Sequence, residues 1–296
     1  MRTHAETPSV SVLVTVYNRE RYIAPCIDSI LASSWQDFEV IVVDDASTDG
    51  SREIAAAYAD RDPRVKLFTN PDNLGDYPNR AKAASLASAP LLKYLDSDDI
   101  IYPHGLGAMM DAMRAYPDAA LGLSHSRPEE EQPYPWQLSS VEAWRKEFLG
   151  EGAMGSGPSG AIFRAAPFRE VGGFRNWGVL NDTDLWYRMS ARWPVVLMAP
   201  GLVWWRRHVG QEFHGDEAAL TYLTKGFELA SESLASPGNP LTEAETRAAV
   251  SRVRRRFARR VMSIATRGRS PRVARRLAKS AGLSARELLH GFRRQP

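Results

Sequence analysis

The sequence of 296 residues predicts an α/β protein with a mostly parallel central sheet flanked by helices. Three observations predict this class. Short apolar, β-branched runs alternate with segments of helical periodicity. The runs are predominantly apolar, as in strands that are buried on both faces. Polar residues follow directly after several of these runs, and parallel sheets bind their ligands beyond the carboxyl ends of the strands.

The alternation is most regular in the first 95 residues. Ser9–Tyr17 reads SVSVLVTVY and predicts a buried strand, and Phe38–Val43 predicts a second. Between them, Ile23, Ile27 and Ile30 fall at helical spacing. The series continues with a helix that begins at an N-cap of Ser47 or Thr48 and runs to about Ala59, a strand over Val65–Phe68, a helix over Asn79–Ala87 and a strand over Leu91–Leu95.

The second half is less regular. A helix is expected over Asp182–Trp193, and strands over Gly160–Arg164, Val195–Met198 and Leu202–Arg206. The rest of the chain is expected to be basic and helical.

Composition excludes several classes of protein. Apolar residues make up 44% and charged residues 25% of the chain, which is ordinary for a globular protein and not for a disordered or collagenous one. A single cysteine, Cys26, excludes a disulfide framework and a cysteine-rich zinc module. The first eight residues contain no apolar signal region and no run approaches a membrane span, so a cytoplasmic location is expected.

The charge is unevenly distributed. Residues 251–296 contain 15 Lys/Arg and one acidic residue, a net charge of +14, whereas residues 1–250 carry −11. Apolar positions such as Val253, Phe257 and Val261 recur at helical spacing in this segment. We therefore expect either a peripheral contact with an anionic membrane or a packed helix whose arginines face water. Nucleic acid is not expected as a partner, because no recognition motif accompanies the charge.

The strongest chemical signal is Asp96-Ser97-Asp98-Asp99 after the run Leu91–Leu95. In an extended segment, Asp96 and Asp98 project to the same side and Ser97 to the other. Two such carboxylates repel each other unless a cation lies between them, and Mg²⁺ or Mn²⁺ prefers oxygen ligands. The motif therefore predicts a divalent metal site, and the alternative is a solvated turn.

Three segments together resemble the inverting glycosyltransferases of family 2, which have the GT-A fold, a Rossmann-like nucleotide-diphospho-sugar transferase fold. They are SVLVTVYNRERYIAPCIDSILASSWQDFEVIVVDDASTDGS, NLGDYPNRAKAASLASAPLLKYLDSDD and VGGFRNWGVLNDTDLWYRM. The resemblance covers residues 9 to about 208. It implies a catalytic domain over 1–214, with a donor half at about 1–100 and an acceptor half at about 101–214, and it leaves 215–296 as a helical extension.

The resemblance implies a role for each matching residue on the donor side. Thr15 and Tyr17 would contact the nucleotide, and Asp45, favoured over Asp44, would accept a hydrogen bond from the base. Arg80 would contact the donor, and Ser97 is a further donor-binding candidate. Asp96 would bind ribose or the metal, Asp98 would be the principal metal ligand, and Asp99 could share either role.

The resemblance also implies the catalytic base and a further ligand. Asp182, within N181-D182-T183-D184, matches the general base, although many family members have Glu where this chain has Asn181. An alternative is that Asp182 is only the N-cap of the helix that follows. His208 resembles a histidine that approaches the metal or diphosphate, against the alternative of an ordinary surface histidine.

The implied activity is transfer of a sugar from a nucleotide-diphospho-sugar, aided by Mn²⁺ or Mg²⁺, to a hydroxyl of a saccharide, a lipid-linked sugar or a cell-surface polysaccharide precursor. A nucleotidyltransferase is one alternative, but a Gly-rich pyrophosphate loop would then follow the first strand, where this chain has Tyr17-Asn18-Arg19-Glu20. The other alternative is a sugar-nucleotide binding module without catalysis, which Asp182 argues against. A dinucleotide oxidoreductase is excluded because GxGxxG is missing.

Overall fold

A computed structural model describes residues 7–124, 132–208, 216–268 and 270–292. The chain forms two compact units. The first comprises Met1–Ala143 and Ala153–His208, and the second comprises Trp144–Gly152 and Val209–Pro296. The short segment Trp144–Gly152 thus belongs to the second unit, although it lies within the predicted range 1–214. The predicted boundary between 214 and 215 lies outside the described residues.

The first unit is built on one eight-stranded sheet with the order β3-β2-β1-β4-β8-β6-β9-β7. Strands β1 to β4 are parallel to one another, β8 is antiparallel to both of its neighbours, and β6 and β9 are parallel. The predicted α/β class with a mostly parallel central sheet is confirmed. The eight strands are β1 (Val10–Val16), β2 (Phe38–Asp44), β3 (Val65–Thr69), β4 (Leu91–Tyr94), β6 (Leu121–Ser124), β7 (Trp136–Leu138), β8 (Ala161–Arg164) and β9 (Val195–Met198).

Helices connect the strands. The helix α1 illustrates why they form, because Ile23, Cys26, Ile27 and Ile30 lie on one side of it and are all buried in the core against the sheet. The bounds are α1 (Ile23–Leu31), α2 (Ser51–Arg61), α3 (Asp76–Leu86), α4 (Gly105–Ala115), α5 (Ser140–Phe148), α6 (Ala165–Glu170) and α7 (Asn181–Ser190).

A small second sheet lies next to the acidic motif. It consists of β5 (Ile100–Ile101) and β10 (Val203–Trp204), which pair antiparallel, with Val203 opposite Ile101. This pairing fixes the chain after residue 204 beside the turn at 96–99, although the two segments are more than 100 residues apart in sequence.

The second unit is helical, with α8 (Asp216–Ala235), α9 (Glu243–Thr266), α10 (Pro271–Ser280) and α11 (Ala285–Phe292). Its core contains Phe257, Val261, Ala274 and Leu277, and Phe227 of α8 stacks on Phe257 with ring centroids 4.3 Å apart. The apolar positions of the basic tail are therefore packed within this unit. None of the helices in the described ranges is both long and apolar enough to cross a membrane.

One predicted helix start is wrong. Ser47 and Thr48 are not N-caps, because α2 begins at Ser51 with Gly50 as its N-cap. They bond to Asn18 instead: Ser47 Oγ accepts the Asn18 amide at 3.0 Å, and the Thr48 amide donates to Asn18 Oδ1 at 2.8 Å. These polar side chains therefore tie the end of β1 to the end of β2.

Candidate active site

The acidic motif forms a turn. After β4 ends at Tyr94, the Asp99 amide donates to the Asp96 carbonyl at 2.9 Å, so the segment 96–99 folds back. The expectation that Asp96 and Asp98 share one side of an extended strand is therefore wrong in its geometry. Instead, Asp96 pairs with Arg80 and Asp98 pairs with Arg19. Ser97, the residue between the two aspartates, is buried.

Arg80 of α3 is the partner of Asp96. Its Nη2 donates to Asp96 Oδ1 at 2.8 Å, and its Nε donates to Asp76 Oδ1 at 2.8 Å. Its side chain is only 13% exposed, and Nη1 is buried without a hydrogen-bond partner in the described part of the chain. Burial lowers the pKa of Arg80, but the carboxylates of Asp96 and Asp76 outweigh burial and hold it above its usual value. Arg80 is thus a permanent buried cation with one donor still available.

Asp98 meets two nitrogen donors at one oxygen. Arg19 Nε lies 3.3 Å and His208 Nε2 lies 3.0 Å from Asp98 Oδ2. The His208 ring stacks on Tyr22, with ring centroids 4.6 Å apart and an interplanar angle of 29°. Asp98 and His208 are thus brought together, as the resemblance implied, and Tyr22 orients the imidazole.

Arg206 holds the chain that follows β10 against the turn at 96–99. Its Nε donates to the Asp98 carbonyl at 2.7 Å, and its amide donates to Asp99 Oδ1 at 3.0 Å. The guanidinium lies over the rings of Tyr22 and Trp204, at 5.1 and 4.6 Å from their centroids. Asp99 is fully buried, and burial raises the pKa of its carboxyl to about 7. Asp99 therefore anchors the Arg206 backbone from within the core.

The ends of β1 and β2 hold the residues expected at the nucleotide. Thr15 is half-buried, and the Tyr17 ring is 46% exposed beyond the end of β1. Asp45 is buried, and its carboxylate accepts three bonds: from Asn70 Nδ2 at 2.6 Å, from the Leu74 amide at 2.9 Å and from the Gly75 amide at 2.9 Å. Asp45 therefore shapes the loop before α3.

Asp44 is less completely bonded. Its Oδ2 accepts the Ser47 amide at 3.1 Å, whereas Oδ1 is buried and has no partner within the described ranges.

Asp182 lies at the start of α7 but is not its N-cap. The helix begins at Asn181, and Leu180 is the N-cap. Asp182 Oδ1 accepts the Thr183 amide at 2.6 Å, and the pKa of the carboxyl is raised to about 6 because the group is largely withdrawn from water. Arg80 and Asp96 are close enough to act on it electrostatically. Asn181 is buried, and its Oδ1 accepts the Trp177 amide at 2.7 Å, so it holds the turn before the helix.

The donor atoms fit a two-ligand metal site. Throughout the described ranges, no three or more His, Cys, Asp or Glu side chains are arranged to hold a metal ion. Asp98 and His208 form a carboxylate–imidazole pair, while Asp96 is engaged by Arg80. Mg²⁺ and Mn²⁺ commonly use one or two protein ligands and take the rest from water and substrate phosphates. The pair suits a cation that the substrate helps to hold.

Sequence reasoning missed four residues around this site: Arg19, Tyr22, Arg206 and the buried Lys93. In the sequence, Arg19 enters only as part of Tyr17-Asn18-Arg19-Glu20, which argues against a pyrophosphate loop. The available signal for Arg19 is its position: it is a basic residue directly after β1, and β1 is expected to end at the same sheet edge as the strand before the acidic motif. No local pattern marked Tyr22 or Arg206, since their partners are distant in sequence.

Known proteins resemble this chain in both sequence and fold. The family model described as Glycosyl transferase family 2 matches residues 11–172. EpsH of Bacillus subtilis, which is named as a glycosyltransferase, is 41% identical over 98 residues, 33% of this chain and 28% of EpsH. This chain therefore aligns with less than a third of that relative's length.

Two solved structures share the fold. TarS of S. aureus (residues 1–349), in complex with UDP-GlcNAc, superposes with a TM-score of 0.63 at 16% identity, covering 96% of this chain and 79% of that one. The mannosyltransferase PcManGT of Pyrobaculum calidifontis, in complex with GDP-Man and Mn²⁺, gives a TM-score of 0.57 at 16% identity, with coverages of 97% and 86%. Because the family model covers more than half of the chain, the chain belongs to glycosyl transferase family 2, and it shares the α/β fold of these two structures.

Proposed function

We propose that the chain transfers a sugar, with inversion and with the aid of Mn²⁺ or Mg²⁺, from a nucleotide-diphospho-sugar to an acceptor hydroxyl. The observation that carries the proposal is the convergence of Asp96, Asp98, Arg80 and His208 beyond the end of β4, with Asp182 in electrostatic reach. The solved neighbours that bind UDP-GlcNAc and GDP-Man support this class of donor.

The donor would lie across the ends of β1, β2 and β4. In the proposal, Thr15 and Tyr17 contact the nucleoside, and the exposed Tyr17 ring offers a face for the base. Asp45 would accept a hydrogen bond from the nucleotide base only if it gives up one of its three hydrogen bonds to Asn70, Leu74 and Gly75. In the proposal, Arg80 Nη1, which is buried and has no partner among the described residues, donates to the ribose or diphosphate.

Asp98 and His208 would hold the divalent cation, with Asp96 and Ser97 beside it on the same turn. When bound, the cation supplies positive charge that stabilises the departing nucleoside diphosphate. Arg80 supplies a second, permanent positive charge to the same region, because its guanidinium stays protonated at every accessible pH.

Asp182 would be the general base. Its carboxyl has a pKa of about 6, so it is ionised at neutral pH yet basic enough to accept the proton of a hydroxyl as that hydroxyl attacks. A single base on the face opposite the leaving group gives attack from the far side of the anomeric carbon. The product then has the opposite anomeric configuration.

A thermal-shift screen tests the donor and metal assignments. UDP, GDP and their sugar conjugates, each with and without Mn²⁺, should raise the unfolding midpoint when they bind the folded protein. We expect a Mn²⁺-dependent shift for at least one nucleotide, abolished in Asp98→Ala. Asp111→Ala, an exposed acid of α4, is the matched control and should shift as the wild type does. Calorimetry showing unchanged Mn²⁺–nucleotide binding in Asp98→Ala would contradict the metal assignment.

The acceptor is proposed to be a saccharide or a lipid-linked sugar at the inner face of a membrane, which the second unit would contact. The apolar side of α9 and α10 is buried in that unit's own core, so insertion of that side into lipid would require unfolding. The exposed arginines of α9, among them Arg255, Arg259 and Arg260, remain for purely electrostatic contact with anionic headgroups.

Vesicle sedimentation tests the membrane contact. Truncation at 251 would remove Phe257 and Val261 from the core of the unit, so charge variants are the better probe. Changing Arg255, Arg259 and Arg260 to Gln should markedly reduce binding to phosphatidylserine vesicles, and added salt should do the same to the wild type. The matched control changes Arg52, Arg61 and Arg169 to Gln. Equal sedimentation of both triple variants would contradict the contact.

A further inference from the structure

Asp98 is neutralised by an arginine that has no role in the proposed function. Arg19 Nε lies 3.3 Å from Asp98 Oδ2, the same oxygen that lies 3.0 Å from His208 Nε2. The Asp98 side chain is 13% exposed and that of Arg19 is 30% exposed, so water screens the pair only in part. The oxygen that is best placed to bind a metal is thus already in use.

Arg19 is anchored differently from Arg80. Arg80 pairs with Asp96 and Asp76, so it keeps a carboxylate partner whatever happens at Asp96. Arg19 has one ion pair within the described ranges, that with Asp98, and its Nη1 donates to the neutral carbonyls of Tyr17 and Asn18 at 3.2 and 3.1 Å. If a cation binds Asp98, Arg19 loses its counter-ion, but its bonds to the two carbonyls keep it at the end of β1.

We propose that Arg19 is an internal counter-ion of Asp98 that a divalent cation displaces, and that the displaced guanidinium binds the diphosphate of the donor. A divalent ion and a guanidinium on one carboxylate oxygen repel each other, so cation binding costs the Arg19–Asp98 pair. A guanidinium matches phosphate oxygens better than any other side chain, and displacement from Asp98 releases the Nε donor of Arg19. The inference rests on the proposed function, since it takes Asp98 as a metal ligand.

The arrangement couples metal to substrate. Without a donor, Arg19 competes with the cation and weakens its binding. With a donor, Arg19 finds a new anionic partner and no longer competes. Cation and donor therefore bind cooperatively, and the chain holds the cation tightly only when the donor is present.

Binding of Mn²⁺ alone tests the competition. Arg19→Gln removes the charge and keeps a polar side chain, and it should tighten Mn²⁺ binding to the nucleotide-free protein roughly two- to fivefold, the range for a partly exposed ion pair. Arg19→Lys keeps the charge and should stay close to the wild type. Arg52→Gln, on the exposed side of α2, is the control. Mn²⁺ binding that is unchanged or weaker in Arg19→Gln would overturn the inference.

Binding of UDP and GDP at saturating Mn²⁺ tests the second half. Loss of a charge-assisted bond to phosphate should weaken nucleotide binding about ten- to a hundredfold in Arg19→Gln. The opposite signs of the two effects separate this role from a folding defect, which would weaken both. Nucleotide affinity equal to the wild type would overturn the diphosphate contact.

The two levels of proposal fail differently. If Asp98→Ala retains full Mn²⁺ binding, the metal assignment in the proposed function is wrong. If Asp98→Ala abolishes Mn²⁺ binding but Arg19→Gln changes neither ligand, only the counter-ion inference fails. Circular dichroism of each variant at the same temperature confirms that the comparison is between folded proteins.

Discussion

Lys93 and Ser159 join β4 to the turn that precedes β8. The ammonium of Lys93 donates to the backbone carbonyl of Ser159, and a second bond of 2.5 Å goes to the carbonyl of Tyr94. Ser159 Oγ in turn accepts the amide of Asp96 at 3.0 Å. A fully buried lysine thus supports the backbone of the acidic turn, and burial lowers its pKa to about 7.

The depressed pKa predicts how stability depends on pH. Between pH 7 and 10.5, Lys93 is mostly neutral in the folded protein but protonated in the unfolded chain, so folding releases a proton. The free energy of unfolding should therefore rise with pH across this window. Lys93→Met should flatten that rise by on the order of 2–4 kcal/mol between pH 7 and 10. Urea unfolding of both proteins at several pH values measures the difference, and parallel profiles would show that Lys93 stays charged when buried.

Backbone strain after the end of β2 predicts that a substitution by glycine will not destabilise the protein. Ala46 has φ of 60°, in the left-handed region that glycine adopts without a Cβ penalty. Ala46→Gly should be neutral or stabilising by up to about 1 kcal/mol, because relief of strain offsets the greater flexibility of the unfolded chain. Ala57→Gly, within α2, should destabilise by about 1 kcal/mol. Thermal unfolding of the two variants checks this, and a clear loss of stability in Ala46→Gly would contradict it.

Much of the fold follows from local sequence. The short apolar runs at β1, β2 and β4 are typical of buried strands, and the helical segments between them favour the parallel pairing that is observed. The antiparallel insertion of β8 between β4 and β6 was not predictable, because it depends on a four-residue strand whose partners lie 40 to 70 residues earlier. Very short strands such as β5 carry too little pattern to recognise.

The site was predictable in its residue types more than in its geometry. The acidic motif points to Asp96 and Asp98, and the resemblance to family 2 points to Asp182 and His208, but the turn at 96–99 depends on a backbone hydrogen bond that no pattern shows. The N-cap of α7 is Leu180, whose side chain has no oxygen that could accept a capping hydrogen bond, so residue preference favours Asp182 instead. The Arg19–Asp98 pair spans 79 positions and required the sheet to be assembled first.

The pH dependence of turnover should reveal the ionisation of Asp182, the proposed general base. Because burial raises the pKa of Asp182 to about 6, the fraction of ionised carboxylate rises from low values at pH 5 to nearly all at pH 7. The kcat/KM for transfer should rise with pH through a midpoint near 6, since this parameter reports the free enzyme. Initial rates in buffers of constant ionic strength measure it. A midpoint near 4, the ordinary value for an aspartate, would contradict a buried base.

Asp182→Asn should separate catalysis from stability. The folded-state pKa of Asp182 lies above its unfolded value of 3.8, so its stabilising contribution is complete below pH 3.8 and is lost as pH rises through 6. Asparagine is never ionised, so the variant should gain on the order of 3 kcal/mol of unfolding free energy at pH 7. Nucleotide binding should be unchanged. The kcat should fall at least about a hundredfold, because the proton acceptor is gone.

Asp184→Asn is the contrasting variant in the same helix. Asp184 is buried and pairs with Arg188 at 2.7 Å, and Arg188 holds the carbonyls of Val171 and Gly173. Loss of the Asp184–Arg188 ion pair should lower stability while leaving kcat of the folded fraction near normal, the reverse of the Asp182 result.

Proton NMR of the wild-type product should show the anomeric configuration opposite to that of the donor. Near-normal turnover in Asp182→Asn, or retained configuration in the product, would leave Asp182 as a structural residue of α7 and require another base.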